Sequence, residues 1–548
     1  MGNKETILTF PALFERTLLN HPESNAYAFV GEKPISWKEA AGMISSVTAL
    51  LESAGIVPGD RVAILSTNMP NWAITYFAIT FMGAVAVPIL PDFSPTEITN
   101  VIEHSGSRVL FISSGLKHKT ADLEPGKPET VFNIEDFSVL SARDHSLKYI
   151  SGSSALRKYE VTEDDLVSII YTSGTTGRSK GVMLTHKNIS FNALKGELIQ
   201  PVNKNDRFLS VLPLSHTYEN TLGLILPMLG GSCVYYLRKP PTPPVLLPAL
   251  EAVRPTIMLT VPLIIEKVYY NKILPTLTGK WFMKQLYKIP FIRIKLNRIA
   301  GAKLLKTFGG NLKFYGIGGS KLNRTVEKFL LEARFPYAIG YGLTETSPLL
   351  AGANPKNTVF DSTGPAIDDI ELIINDPDPK TGEGEIWARG DSVMKGYYKE
   401  PEMTAEVLTP DGWFKTGDLG VLDPHNNLYI KGRLKNMIVG ASGENIYPEE
   451  IESVINNFRF VMESLVIQQK GKLVAYVHLN MEELEKKYKI LKQDMEDRFE
   501  EKVQELILEL KQYVNTKVNK FSQINKVVLQ PVPFQKTATL KIKRFLYI

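Results

Sequence analysis

The chain has 548 residues, 44% of them hydrophobic and 22% charged, with 63 Lys and Arg against 58 Asp and Glu for a formal net charge of +5. That length exceeds what one core supports and predicts several domains or subdomains around a substantial interior. No stretch reaches the roughly 18 uninterrupted apolar residues of a membrane span, and so diffuse a charge, without a zinc knuckle or RNA-binding signature, excludes nucleic acid as the expected partner.

Cys233 is the only cysteine, which excludes an intramolecular disulfide and a Cys-rich metal site and leads to the expectation of a reducing, cytoplasmic setting. The first ten residues, MGNKETILTF, lack the cationic start and long apolar run of a secretory signal. They match the loose Met-Gly-x-x-x-Thr pattern for myristoylation, a match short enough to arise by chance.

From about 36 to 112, helical patterns alternate with short apolar strands such as Arg61-Val62-Ala63-Ile64-Leu65 and Arg108-Val109-Leu110-Phe111-Ile112. This is the rhythm of an α/β fold. It returns at Asp206 to Leu212, Ser232 to Leu237, Thr256 to Leu259 and Leu312 to Ile317, and strand-then-loop junctions are where such sheets bind ligands. The run KPPTPPVLLP at 239–248 reads as a stiff proline-rich connection. From Lys267 through Val326 there is no Asp or Glu, while Lys and Arg recur among Trp281, Phe282, Tyr287, Phe291, Ile292 and Leu296. Such a stretch suits either a helix with a basic solvent face or contact with an anionic membrane surface. From about 357 to 433 short strands and turns (DIELIIND, GEIWARG, NNLYIKGR) predict a β-rich subdomain. A small α+β domain follows, with a long charged helix over roughly 481–519 and a strand from Lys526 to Leu529.

YTSGTTGRSKGV, residues 171–182, follows the apolar run Leu166-Val167-Ser168-Ile169-Ile170. Its hydroxyls and open backbone N–H groups suit phosphate oxygens, with Arg178 and Lys180 offsetting charge, although a mobile solvent loop has the same composition. It is not a Walker A loop, because Ser179 precedes Lys180 and Gly181 follows it, and the kinase pattern G-x-G-x-x-G is absent. The stretch resembles the signature loop of the adenylate-forming superfamily, which includes acyl-CoA synthetases, luciferases and the adenylation domains of peptide synthetases. Ser179 stands where the usual form has Pro.

Further motifs resemble that superfamily in the expected order. FYGIGGSKL, 314–322, is a strand entering a glycine turn; YGLTETSP, 341–348, offers an aromatic face, a hydroxyl and a carboxylate. GWFKTGDLG (412–420), YIKGRLK (429–435), ASGENIYPEEIE (441–452) and PFQKTATLKIKR (533–544) follow. By resemblance, Thr172, Ser173, Gly174, Thr175, Thr176 and Lys180 hold the triphosphate, and Gly318, Gly319 and Ser320 form the adenine-binding segment. Tyr341 stacks on adenine with Gly342 beside it, Thr344 contacts phosphate, and Glu345 holds Mg²⁺. Asp418 and Arg433 bind the ribose hydroxyls, Lys435 is the hinge, and Gly443 lies in the loop lining the thiol entry. The adenylating lysine falls at Lys541, with Leu540 in place of the usual Gly, and His216 of LPLSHTYEN matches a position beside the reacting carboxylate. The following TLGLILPMLGGS could wall an acyl tunnel or serve as core packing.

The resemblance implies an α/β fold: a large N-terminal domain of α/β sheets plus a β-rich subdomain (1–433), and a small mobile α+β C-terminal domain (434–548). The form SHTYE, the run VPLIIEKVYYNKI at 261–273 and the elongated C-terminal helix leading into KFSQINKVVLQPVPF resemble the long-chain fatty acyl-CoA synthetase branch. That branch implies an AMP-forming ligase using ATP, Mg²⁺ and coenzyme A on a long-chain fatty acid. The alternatives are transfer to an acyl carrier protein, which basic residues would also suit, and a catalytically inactive adenylate-binding scaffold. A lipid substrate adds the expectation of peripheral contact with the inner face of the membrane.

Overall fold

The computed structural model describes all residues except 1–6, 125, 143, 145, 153–155, 157, 174–178, 441–443, 489–495, 537–541 and 548. The myristoylation pattern, Gly174, Thr175, Thr176, Gly443, Leu540 and Lys541 therefore fall wholly or partly outside the described residues.

Local sequence signals set the helices. Ser36 and Ser94 each cap a helix (Trp37–Ser53 and Pro95–Ser105) and are answered by Glu39 and Glu97 in reciprocal capping boxes. The second of these helices stops at Gly106, whose φ of 64° is the left-handed conformation that glycine tolerates. Helix Pro70–Phe81 is buried from Trp72 to Phe81 on every side, as an all-round apolar helix must be. It touches strands of two different sheets.

Those sheets have eight strands each. In the first, the order is Leu349–Gly352, Tyr337–Gly342, Phe314–Ile317, Ile257–Thr260, Arg207–Ser210, Cys233–Tyr236, Asn25–Phe29 and Ile35–Ser36, parallel except at the two edges. In the second it is Gly396–Tyr397, Ser179–Thr185, Leu166–Ser173, Val85–Ile89, Arg61–Leu65, Val109–Ile112, Thr130–Asn133 and Val139–Ala142. A four-stranded antiparallel sheet (Glu371–Asn375, Gly384–Arg389, Phe414–Leu422, Leu428–Arg433) supplies the β-rich part. Beyond it, Val461–Gln469, Lys472–Leu479 and Lys526–Leu529 form a three-stranded sheet. These strands pack with helices Pro448–Ile455 and Glu496–Asn515 in a separate hydrophobic cluster.

One expectation needs correction. The proline-rich run at 239–248 is not only a connection, because helix Pro243–Val253 begins inside it. Proline at the start of a helix removes an N–H that has no partner there in any case. Within the charged stretch at 481–519, Met481–Tyr488 and Glu496–Asn515 are helical, and residues 489–495 between them lie outside the described residues.

Candidate active site

Strands Leu166–Ser173 and Ser179–Thr185 pair antiparallel, with Thr172 opposite Lys180 and Ser173 opposite Ser179. The glycine-rich motif is thus borne at the end of a hairpin set within the second sheet. In the first sheet, Phe314–Ile317 and Tyr337–Gly342 are parallel neighbours, so the glycine turn and the YGLTE motif leave from the same end. The carboxyl ends of parallel strands are where open α/β sheets take ligands. Gly318 N–H donates to Thr260 O at 3.0 Å. A Cβ at Gly318 would lie 3.1 Å from the Tyr218 ring, and Gly319 has φ +85°. Ser320, next to Gly319, is exposed.

Gly342 has no substitute. A Cβ there would sit 1.7 Å from Pro348 O, because Leu343 N–H donates back to that oxygen at 3.1 Å and closes a tight turn over Thr344–Thr346. Buried Asn192 holds the turn from below, donating to Thr346 O and Leu349 O at 3.2 and 2.8 Å and accepting from Leu349 N–H at 3.1 Å. Thr344 and Glu345 are carried on this braced turn.

Tyr397 joins that turn to the hairpin. Its two-residue edge strand pairs with Ser179–Thr185, Tyr397 facing Val182. This register puts the Lys180 ammonium over the Tyr397 ring, 4.8 Å from its centroid, while the Tyr397 hydroxyl donates to Glu345 Oε1 at 2.9 Å. Burial, and then the Glu345 charge, push the phenol well above its ordinary value, so it remains a donor. A cation and a carboxylate from distant segments are thereby held on one aromatic ring.

The second assembly centres on Asp418, which stands opposite Arg433 in the antiparallel pair Phe414–Leu422 and Leu428–Arg433. Arg433 Nε contacts Asp418 Oδ1 at 2.7 Å, and the Tyr341 hydroxyl donates to Oδ2 at 2.9 Å. Asp418 is buried, and a buried carboxylate needs such partners. Its charge raises the Arg433 guanidinium, and burial followed by the same charge raises the Tyr341 phenol.

His216 starts the short helix Thr217–Asn220, its Nδ1 accepting from Tyr218 N–H at 3.2 Å. The helix reaches both neighbouring motifs: Tyr218 packs on the backbone of Gly316 and Gly318, and Thr221 Oγ1 donates to Ser347 O at 2.8 Å. The segment after it packs as core. Leu222, Leu224, Ile225, Leu226 and Met228 are buried, and the space left by Gly223, Gly230 and Gly231 is taken by Glu219, Val202 and His21. Glu219 is 2% exposed, and burial pushes its carboxyl up to about 8.

Lys435 is exposed on the turn Leu434–Asn436 directly after Arg433. Lys536 and Ile542, both within the terminal motif and flanking Lys541 in sequence, form a β-bridge, and Lys543 lies 4.0 Å from Glu97 on a helix that packs against strand Ser179–Thr185. Among the described residues no group of three or more His, Cys, Asp and Glu could hold a metal. Mg²⁺ bound through one carboxylate and substrate phosphates needs no such cage, and Glu345, beside Lys180 and Tyr397, is a hard-oxygen donor of that kind. Tyr397, Asn192 and Glu219 are the site residues that sequence reasoning missed.

The chain is similar to known proteins over most of its length. Long chain acyl-CoA synthetase 7, peroxisomal, of Arabidopsis thaliana is 29% identical over 489 residues, covering 82% of this chain and 69% of that protein. The chloroplastic long-chain-fatty-acid–[acyl-carrier-protein] ligase AEE15 of the same plant is 27% identical over 542 residues, covering 82% and 73%. Among solved structures, ATP-bound MatB from Rhodopseudomonas palustris superposes with a TM-score of 0.76 at 23% identity over 97% of both chains. The o-succinylbenzoate coenzyme A synthetase MenE from Bacillus subtilis, in complex with ATP and magnesium ion, gives 0.73 at 22% over 97% of this chain and 98% of that one. These two fix the fold: a large N-terminal part built on sheets and a smaller C-terminal part. The AMP-binding enzyme family matches residues 14–398, which span the hairpin, the glycine turn, the Glu345 turn and Tyr397, and the chain belongs to that family.

Proposed function

We propose that the chain is an AMP-forming ligase that activates a long-chain fatty acid with ATP and transfers the acyl group to the thiol of coenzyme A. The observation that carries this reading is the paired assembly of Lys180, Tyr397 and Glu345 with Tyr341, Asp418 and Arg433. The likeness to long chain acyl-CoA synthetases supports the substrate class.

A carboxylate is a poor electrophile, and oxide is a hopeless leaving group. Adenylation removes both obstacles: a carboxylate oxygen attacks the α-phosphorus of ATP, the bond to the β-phosphate oxygen breaks, and pyrophosphate leaves. No protein nucleophile is needed; the enzyme aligns the groups and stabilises the spreading charge. In this reading Thr172 to Thr176 and Lys180 hold the triphosphate, Thr344 contacts phosphate, and Lys541 bridges carboxylate and α-phosphate. Gly318 to Ser320 and Tyr341 with Gly342 form the adenine site, while Asp418 and Arg433 take the ribose hydroxyls. His216 stands beside the reacting carboxylate. Bound at Glu345, Mg²⁺ would neutralise phosphate charge. The thiol then attacks the acyl-adenylate carbonyl, and AMP leaves.

Residues 1–433 form the adenylation domain and 434–548 the mobile domain, turning at Lys435 to withdraw Lys541 and bring in the Gly443 loop. The separate core of the C-terminal part supports that boundary. The setting is cytoplasmic, with peripheral membrane contact. Among the described residues no helix is long and apolar enough to cross a membrane.

The second reading, transfer to an acyl carrier protein, is favoured by the likeness to a relative of that name. AMP formation from ATP, Mg²⁺ and palmitate with either acceptor separates the two. Thioester with free coenzyme A supports the ligase proposed, and turnover confined to the carrier protein overturns its acceptor.

A further inference from the structure

We propose that the helix pair Trp281–Leu286 and Pro290–Thr307 is a docking surface for an anionic lipid bilayer. The inference rests on the fatty-acid reading only for why the substrate would be found there; the surface itself is argued from its own residues.

The longer helix is fastened along one face. Arg293 donates to Glu332 from Nε and a terminal nitrogen at 2.8–3.2 Å, and Asn297 donates to Glu332 Oε2 at 2.7 Å. One turn on, Gly301 lies against Ala333, where a Cβ would come within 2.7 Å, and Leu304 is buried. These positions recur at helical spacing and mark the face turned to helix Arg324–Ala333. The opposite face carries Phe291, Lys295, Arg298 and Ile299, all exposed. The short helix before it exposes Trp281 and Phe282, and Ile289 is exposed in the connection.

Two properties of the helix pair point to lipid. First, its apolar side chains are unusually bare: Trp281 is 76% and Phe291 66% exposed, whereas large aromatics ordinarily bury most of their surface. Second, Lys280, Lys284, Lys288, Lys295 and Arg298 form no ion pair among the described residues, in a stretch with no acidic residue from Lys267 through Val326. Arg293, by contrast, is committed to Glu332 and belongs to the fastening. Lysine and arginine stems lie along apolar surface and carry their charges outward; Lys295 already sits over the Phe291 ring at 4.2 Å. At a bilayer the rings enter the headgroup boundary while the cations meet anionic lipid, each charge adding to the attraction. An acidic protein would match the charges but leave scattered rings without a hydrocarbon phase.

The test uses the full chain and vesicles of phosphatidylcholine alone or with about one quarter phosphatidylglycerol. The parent should co-sediment at least about tenfold better with the anionic vesicles, with a blue shift in tryptophan emission that is lost in Trp281→Ala. Replacing Lys280, Lys284, Lys288, Lys295 and Arg298 by Gln, or Trp281 and Phe291 by Ala, should remove the difference. AMP formation from detergent-dispersed palmitate should be unchanged in both variants. Equal sedimentation of parent and variants overturns the proposal, as does binding to an acidic acyl carrier protein that the variants lose while vesicles are ignored. A parent that binds anionic vesicles yet forms no AMP with any fatty acid supports the surface and sinks the fatty-acid reading instead.

Discussion

The nucleotide site and the helix pair at 281–307 are both rich in charge, and they hold it in opposite ways. Around Asp418 and Glu345 the groups are engaged before any ligand arrives: Arg433 and Tyr341 share one carboxylate, and Tyr397 ties Glu345 to Lys180. On the helix pair, Lys280, Lys284, Lys288, Lys295 and Arg298 make no ion pair among the described residues and are surrounded by exposed apolar side chains. A group held by several partners acts through its position, and losing it is felt at one atom of one ligand. Charges without partners act as a summed field, so single losses are small and only the group as a whole matters.

Substitutions should therefore separate the two regions, and the largest effect belongs to the site. Lys541→Ala should lower fatty-acid-dependent AMP formation by roughly a thousandfold while leaving vesicle binding untouched; loss of both would break the comparison. Next, Asp418→Asn keeps the shape but removes the charge that Arg433 and Tyr341 share. A fall of about a hundredfold in kcat/KM for ATP is expected, at the lower end of what a preorganised group contributes, read from initial rates at varied ATP. Tyr397→Phe leaves the ring under Lys180 and deletes only the bond to Glu345, so a loss nearer tenfold in kcat is expected, in line with one charge-assisted hydrogen bond. An unchanged rate would show that Glu345 is positioned by its turn alone.

How much of this was legible in the sequence depends on whether partners are near in the chain. The apolar run leading into the glycine-rich loop, the strand at 314–317 and the β-rich sheet follow from local period and turn residues, whereas the pairing of that run with Ser179–Thr185 is seen only in the fold. Asp418 and Glu345 are candidates in the sequence because each stands inside a resembling motif. Tyr397 is not, because its neighbours come from a two-residue edge strand whose register only the assembled sheet defines. Gly342 was visible as a glycine, but its cause, the Pro348 oxygen closing on it, belongs to the turn that forms around it. Glu219 was read as one letter of SHTYE. Nothing local tells that a carboxyl will be enclosed beside Gly223.

Glu219 gives the smallest expected change in turnover and a distinct one in stability. Its carboxyl is raised from 4.5 to about 8 in the fold, so the unfolded chain releases that proton first. The stability owed to this group should fall as pH rises from about 4.5 to about 8. Glu219→Gln should flatten that part of the profile, as measured by denaturant unfolding at several pH values. Parallel profiles for parent and variant would show that the carboxyl is not enclosed as described.

The most direct test of the central claim is ATP–pyrophosphate exchange with palmitate and Mg²⁺ in the absence of any thiol acceptor. The adenylation mechanism predicts exchange that depends on the fatty acid and disappears in Lys541→Ala. No exchange with any fatty acid would contradict it and favour an adenylate-binding scaffold.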